Sequence, residues 1–169
     1  MKDEADMYLP SSSTAITSQI IPDLPDGYRL GKVQDKHMEF IARAWNQDLG
    51  DTPQNEDNEY EKKVKLNIRR QHFAIFHESD EFPVGWMNVH SDGTVGQLHV
   101  SPSHRRKGLA RIILRKMYNT MNDVFSFGPF VNIYVENHTS AKFFSSEGWV
   151  KHNRASVYYR KYMYLKDYS

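Results

Sequence analysis

Between residues 94 and 121 (TVGQLHVSPSHRRKGLARIILRKMYNTM) the chain changes its hydrophobic period once, and that change dictates a local architecture. Val95, Leu98 and Val100 form a short apolar run that ends at Ser101-Pro102; Leu109, Ile112, Ile113, Met117 and Met121 then recur at helical spacing. Strand, turn and helix follow in that order. The turn holds Arg105-Arg106-Lys107-Gly108-Leu109-Ala110, where the first N–H groups of the helix have no intrahelical acceptor and face outward as anion donors. Gly108 has no Cβ, so an anion can come close to the main chain there. From Arg105 to Lys116 six basic residues stand with no acidic one, in a chain whose formal net charge is only +1. So local a charge predicts a compact polyanion as partner.

A chain of 169 residues with 39% hydrophobic content matches one domain with an adequate core. Cysteine is absent, which excludes disulfides, thiolate metal sites and a cysteine nucleophile. The eight histidines show no His-x-x-x-His pair and no carboxylate at ligand spacing, so no metal is expected. No apolar run approaches the length of a membrane span, and the acidic start Met1-Lys2-Asp3-Glu4 is unlike a presequence, so a cytoplasmic location is expected. No Gly-x-Ser-x-Gly signature accompanies the missing cysteine, which argues against a covalent acyl-enzyme.

Residues 1–25 carry Ser11, Ser12, Ser13 and three prolines with little periodicity and read as a mobile tail, with Ile20-Ile21 as a patch able to dock. A strand is expected over residues 28–33 and a helix after an Asp35 N-cap, bearing Met38, Ile41, Ala42 and Trp45. An acidic loop over 46–58 and a second helix over 59–70 come next, and then strands over 72–77 and 84–90. Asp92-Gly93 turns the chain into the central strand. After the long helix come a loop over 122–130, a strand over 131–135 and a helix over 139–147 ended by Gly148. Residues 149–164 are expected to form a final hairpin.

Four motifs together resemble one family. Arg105-x-x-Gly108-x-Ala110 is preceded by Leu98-His99-Val100-x-Pro102 and followed by residues 131–137 (VNIYVEN), then by Ala141-x-x-Phe144-x-x-x-Gly148-Trp149. This set is similar to the pyrophosphate loop, fourth strand, fifth strand and following helix of the GNAT superfamily of N-acyltransferases. Trp45, Pro83-Val84-Gly85-Trp86 and Gly128-Pro129-Phe130 further resemble the C-terminal domain of glycine N-acyltransferase-like proteins, over residues 26–165. The resemblance implies an α/β (α+β) GNAT fold: a mixed, mostly antiparallel sheet of six to seven strands, helices on both faces, and parallel fourth and fifth strands that splay. A single domain over residues 26–169 is expected behind the tail.

The implied reaction moves an acetyl or longer acyl group from acyl-coenzyme A to a primary amine, a small amine or amino acid, by direct attack in a ternary complex. The partners expected are acyl-CoA and that acceptor, with no nucleic acid, no membrane, and a monomer or homodimer. Backbone N–H groups of Arg106, Lys107, Gly108, Leu109 and Ala110 hold the diphosphate, and Arg105, Arg106, Lys107 and Arg111 or Arg115 reach the ribose phosphate. Leu98, His99 and Val100 take the pantetheine arm as an added strand and supply an oxyanion-type N–H. Asn137 either closes the far end of the slot or caps the next helix. Phe144 stands where many family members carry a proton-donating Tyr, and Thr94 where many carry an acidic base, so acid and base are open. His99 and Glu136 are the candidate catalytic residues, with His90 and His138 also in reach. The departures leave a non-catalytic coenzyme A-binding module as the alternative. The basic helix as a nucleic-acid reader is disfavoured because no aromatic interleaves the cations.

Overall fold

The computed structural model describes residues 4–8, 19–48, 73–89, 94–124, 130–134 and 136–151. Its strands are β1 (Glu4–Tyr8), β2 (Tyr28–Gly31), β3 (Ala74–His77), β4 (Gly85–Val89), β5 (Thr94–Val100), β6 (Phe130–Tyr134) and β7 (Val150–Lys151). Its helices are α1 (Asp35–Asp48), α2 (Leu109–Val124) and α3 (His138–Ser146), with a short 3-10 turn at Pro102–His104. The strands form one sheet in the order β2-β3-β4-β5-β6-β1-β7. Every pairing is antiparallel except β5–β6, which α2 connects as a crossover. None of the described helices is long and apolar enough to cross a membrane.

Strand alternation sorts the side chains into two cores. Ile75, Met87, Val95, Val131 and Ile133 face α2 and α3, whose Leu109, Ile112, Ile113, Leu114, Met117, Met121 and Phe144 complete the larger cluster with Trp149. Ala74, Phe76 and Trp86 face the other way, onto Met38, Ile41 and Ala42 of α1. All five periodic residues of the α2 stripe are buried, as the sequence predicts, and Leu114 and Tyr118 widen it. Gly85 lies under the crossing helix: a Cβ there would meet Ile113 Cδ1 at 2.9 Å, so a side chain at this position would have to push the end of Ile113 aside.

The tail reading needs correction. Glu4–Tyr8 pairs antiparallel with β6, from Glu4 opposite Tyr134 to Tyr8 opposite Phe130, and its other edge takes β7. The physical reason is an edge: without β1, the outer N–H and C=O groups of β6 would lack ladder partners. Gln19 and Ile20 are likewise held, since Asn119 exchanges two 2.8 Å hydrogen bonds with the Gln19 main chain and Arg115 Nη1 donates to Ile20 O at 2.9 Å. Of the expected docking pair, Ile21 packs against the core while Ile20 is exposed. The first strand stops at Gly31 rather than residue 33, and Asp35 opens α1 as its first residue rather than as its cap. The first helix runs through Asp48, so the first three residues of the expected acidic loop over 46–58 are helical instead; the rest of that loop, the second helix, the Asp92-Gly93 turn and most of the final hairpin lie outside the described residues.

Gln34 precedes α1 and uses an unusual cap. Its N–H donates to His37 Nδ1 at 3.0 Å, the reach-back that Glu makes in a capping box. That bond needs a neutral imidazole, and burial, followed by the Lys36 charge, lowers the His37 pKa from its ordinary 6.5. A depressed folded-state value means the contribution is complete above the unfolded pKa and is lost as pH falls below it toward the folded value. Acidification from about pH 7 to 5 should therefore lower the melting midpoint of the protein more than that of His37→Gln, which keeps an acceptor but does not titrate. Parallel pH profiles for the two proteins would rule out this role.

Candidate active site

β5 and β6 are parallel neighbours for two residue pairs only, Thr94 with Phe130 and Val95 with Val131. Beyond that point β5 bends away. The cause lies in its other pairing: the register with β4 shifts between Trp86 opposite His99 and Asn88 opposite Gly96, so Gln97 and Leu98 together oppose Met87. Gln97 takes up the extra residue in the left-handed region at φ 52°, a conformation that costs a non-glycine residue about 1 kcal/mol or more. Its Oε1 is buried with no hydrogen-bond partner. The two parallel strands thus stop pairing toward their carboxyl ends, the position where α/β sheets bind ligands.

The expected residues gather around that point. Leu98 and Val100 pack on the α2 side, and His99 turns to the α1 side, where its ring stacks on Trp86 at 4.2 Å and is buried. Arg105, Arg106, Lys107 and Gly108 form the loop after the 3-10 turn. Arg106 (φ 65°) and Gly108 (φ 78°) are both left-handed, which turns successive N–H groups toward one concavity. The first bond into the helix runs from Ile112 N–H to Gly108 O at 3.2 Å, so the N–H groups of Leu109 and Ala110 point out of the helix end. A Cβ on Gly108 would meet nothing within 4 Å, which leaves open space in front of the main chain. The residues present fit a diphosphate.

The cations divide into two sets. Arg105 Nε donates to Val100 O at 2.8 Å and Lys107 Nζ donates to the Tyr28 phenol oxygen at 2.9 Å, while among the described residues no side-chain partner holds Arg106. Arg111 and Arg115 do not face the loop's anion. Their Nε atoms lie 2.6 and 2.9 Å from the two oxygens of Glu147, whose side chain is 1% exposed. The expectation that they reach the ribose phosphate gives way to a structural role, because a carboxylate this deeply buried is retained as an ion only if paired. Glu147 itself caps α3, with its N–H shared among Phe143, Phe144 and Ser145 carbonyls, and Gly148 follows at φ 85° as the sequence predicts.

Other predicted residues are placed less centrally. Asn137 Oδ1 accepts from Ser140 N–H at 3.1 Å, so of its two candidate roles the helix cap is the one observed. Phe144 is buried edge-on against Trp149 and Phe143 in the core. Glu136 is exposed on the turn that leaves β6, and His138 is exposed at the start of α3. Thr94 is buried at the start of β5, and His90 lies outside the described residues. Gln97 and Glu147 were not anticipated; a glutamine at a bulge carries no sequence signature, whereas an acid one residue before a helix-ending glycine is a weak signal.

The sequence pattern of the Acetyltransferase (GNAT) family matches residues 38–149. The chain belongs to this family. Among solved structures it resembles a Drosophila protein of a structural genomics programme (TM-score 0.71, 16% identity, 90% of this chain and 48% of that one). It also resembles a GCN5-related N-acetyltransferase from Sphaerobacter thermophilus (0.67, 13%, 89% and 49%). A third is a putative GNAT-family acetyltransferase from Novosphingobium aromaticivorans (0.58, 15%, 88% and 59%). At these identities the likeness concerns the fold, and the chain spans between about half and three fifths of those structures' length. No curated protein matches the chain. The relationship to glycine N-acyltransferase-like proteins is not among these matches.

The paired arginines tie the crossover helix to the helix after it through Glu147. Glu147→Gln should destabilise the fold by about 1–3 kcal/mol, the cost of leaving buried polar groups poorly matched, discounted because both arginines are partly hydrated. Chemical denaturation at two ionic strengths checks this; a shift under about 0.5 kcal/mol would place the pair with ordinary surface contacts.

Proposed function

We propose that this chain is an N-acyltransferase that moves an acetyl or longer acyl group from acyl-coenzyme A to a primary amine, a small amine or amino acid being the acceptor class. The reading rests on one coincidence: the left-handed Arg106–Gly108 loop and the outward N–H groups of α2 stand beside the slot where β5 leaves β6. Loop and helix end hold the diphosphate, with Arg105, Arg106 and Lys107 neutralising the phosphates. The edge of β5 at Leu98, His99 and Val100 takes the amide-bearing arm. The amine nitrogen then bonds to the thioester carbon as the carbon–sulfur bond breaks, and the amine loses one proton.

His99 is our candidate to accept that proton, directly or through water, since it faces the α1 side on β5 while Glu136 is exposed on a turn. Phe144 donates no proton, so sulfur leaves as the thiolate; with a thiol pKa of about 8.5 this needs little help. Family resemblance at Trp45 and Trp86 supports the amino-acid acceptor, and the cytoplasm supplies both substrates. Phe144 and Thr94 favour a second reading, a coenzyme A-binding module without catalysis.

Two measurements separate these readings. Saturating acyl-CoA at a hundred times its dissociation constant should raise the melting midpoint by about 5–10 °C. Gly108→Glu, which fills the open space with an anion, should lose that shift. An unchanged melt of the native chain would remove the coenzyme site altogether. Thiol release over an amine panel then tests turnover: His99→Gln should lower kcat by about a hundredfold or more, and Glu136→Gln should not. Bound coenzyme with no thiol released from any amine would select the binding module.

A further inference from the structure

His77, Asp80 and His104 come from the end of β3, the turn after it and the 3-10 turn before the basic loop, yet their donor atoms converge. His77 Nδ1 lies 3.4 Å and His104 Nε2 lies 3.6 Å from the same oxygen, Asp80 Oδ2, and all three atoms are within 4.8 Å of one another. A tetrahedral cation with bonds of about 2.0–2.1 Å separates its ligands by about 3.3 Å. With both facing nitrogens deprotonated, two lone pairs and a carboxylate would confront one another there, and a cation between them would relieve that repulsion. We propose that these three residues bind one divalent transition-metal cation, a zinc-like ion suited to two imidazoles and a carboxylate.

The surroundings fit that assignment. Asp80 N–H donates to His77 O at 3.0 Å, which fixes the turn and brings both ligands to one side of it. The other ring nitrogen of His104, Nδ1, lies 2.8 Å from the Tyr28 phenol oxygen, the outer hydrogen bond by which a metal-bound imidazole is oriented. Ser79 lies against both ligands: its Oγ is 2.7 Å from His77 Nδ1 and donates to Asp80 Oδ2 at 2.9 Å, and its N–H donates to His77 Nδ1 at 3.3 Å, contacts that a cation at this point would replace. The fourth coordination position belongs to that hydroxyl or to water. The histidine rings are largely shielded, with side-chain exposures of 23% and 12%, against 39% for Asp80. Bound there, the cation clips the β3–β4 turn to the segment that leads into the phosphate loop, three residues before Lys107. Its function is structural, and it stands apart from the acyl-transfer reading.

The test uses the full chain, freed of any affinity tag and stripped with chelator. Cobalt(II) titration should produce the intense visible bands of a tetrahedral site at one ion per chain, and zinc should abolish them. Zinc at a hundredfold excess over its dissociation constant should raise the melting midpoint by about 5–10 °C. His77→Gln, Asp80→Asn and His104→Gln should each remove the bands, and Tyr28→Phe, which keeps the ring, should weaken binding about 10–100-fold. Circular dichroism identifies any variant that fails to fold, and the native titration still decides in that event. A folded native chain with no visible bands would overturn the proposal, leaving an ordinary His–Asp–His ion pair. So would native-like binding in the folded His77→Gln/His104→Gln double variant.

Discussion

Everything at the candidate site depends on how briefly β5 and β6 stay together. Two residue pairs are enough to anchor the crossover of α2, and no more than two can form, because the bulge at Gln97 turns β5 off line immediately afterwards. A bulge bends its strand and increases local twist. Here the bend is held from three sides: β4 keeps its ladder from Gly85 to Val89, Trp86 stacks on His99, and Val95 remains in the α2 core. The left-handed glutamine carries the strain of this arrangement. Strain of that kind persists only where the surrounding packing over-determines it.

Charge follows the same geometry. In sequence, the run from Arg105 to Lys116 is one basic block; in the structure it has two functions separated by one turn of helix. Arg111 and Arg115 project toward α3 and hold the buried carboxylate of Glu147, which locks the crossover helix to the helix after it. Arg105 and Lys107 are drawn back to Val100 O and to Tyr28, and Arg106 is left on the left-handed backbone of the loop. An anion at the loop therefore meets cations that Val100 O and the Tyr28 oxygen already hold in place. Counting basic residues overstated the charge available to a ligand by including the two that the fold consumes.

What the sequence could show was whatever periodicity encodes. The α2 stripe from Leu109 to Met121, the α1 face at Met38, Ile41 and Ala42, and the Gly148 stop all stand where residue spacing puts them. Contacts between distant segments are another matter. β1 has the alternating Ala5 and Met7 of a strand, but five residues among acids give a weak signal, and its partner β6 lies over a hundred residues away. Glu147 with Arg115, and His104 with His77, are likewise encoded only by the fold. Spacing rules for metal ligands look for donors on one helix or one loop, so a set divided between a strand end and a separate 3-10 turn escapes them. The bulge at Gln97 leaves no trace in the sequence for a further reason: its cost is borne by the packing around it and not by the residue chosen.

Tyr28 shows how these pieces meet. Its ring lies against His77 at 4.6 Å and edge-on to His104 at 5.7 Å, and its oxygen accepts a hydrogen bond from Lys107 Nζ while bonding His104 Nδ1. One side chain on the outermost strand thereby touches the β3 end, the 3-10 turn and the phosphate loop. The loop is exposed and carries two left-handed residues, so little in its own backbone would keep it in one conformation. Its shape is imposed at the ends instead: by α2 on one side, through Gly108 and Leu109, and by the Tyr28–His104 contact on the other. A phosphate-binding loop gains from such restraint, because N–H groups already oriented lose little entropy when the anion arrives. The aromatic and histidine cluster at the sheet edge is thus part of the same construction as the slot, although its residues share no motif with it.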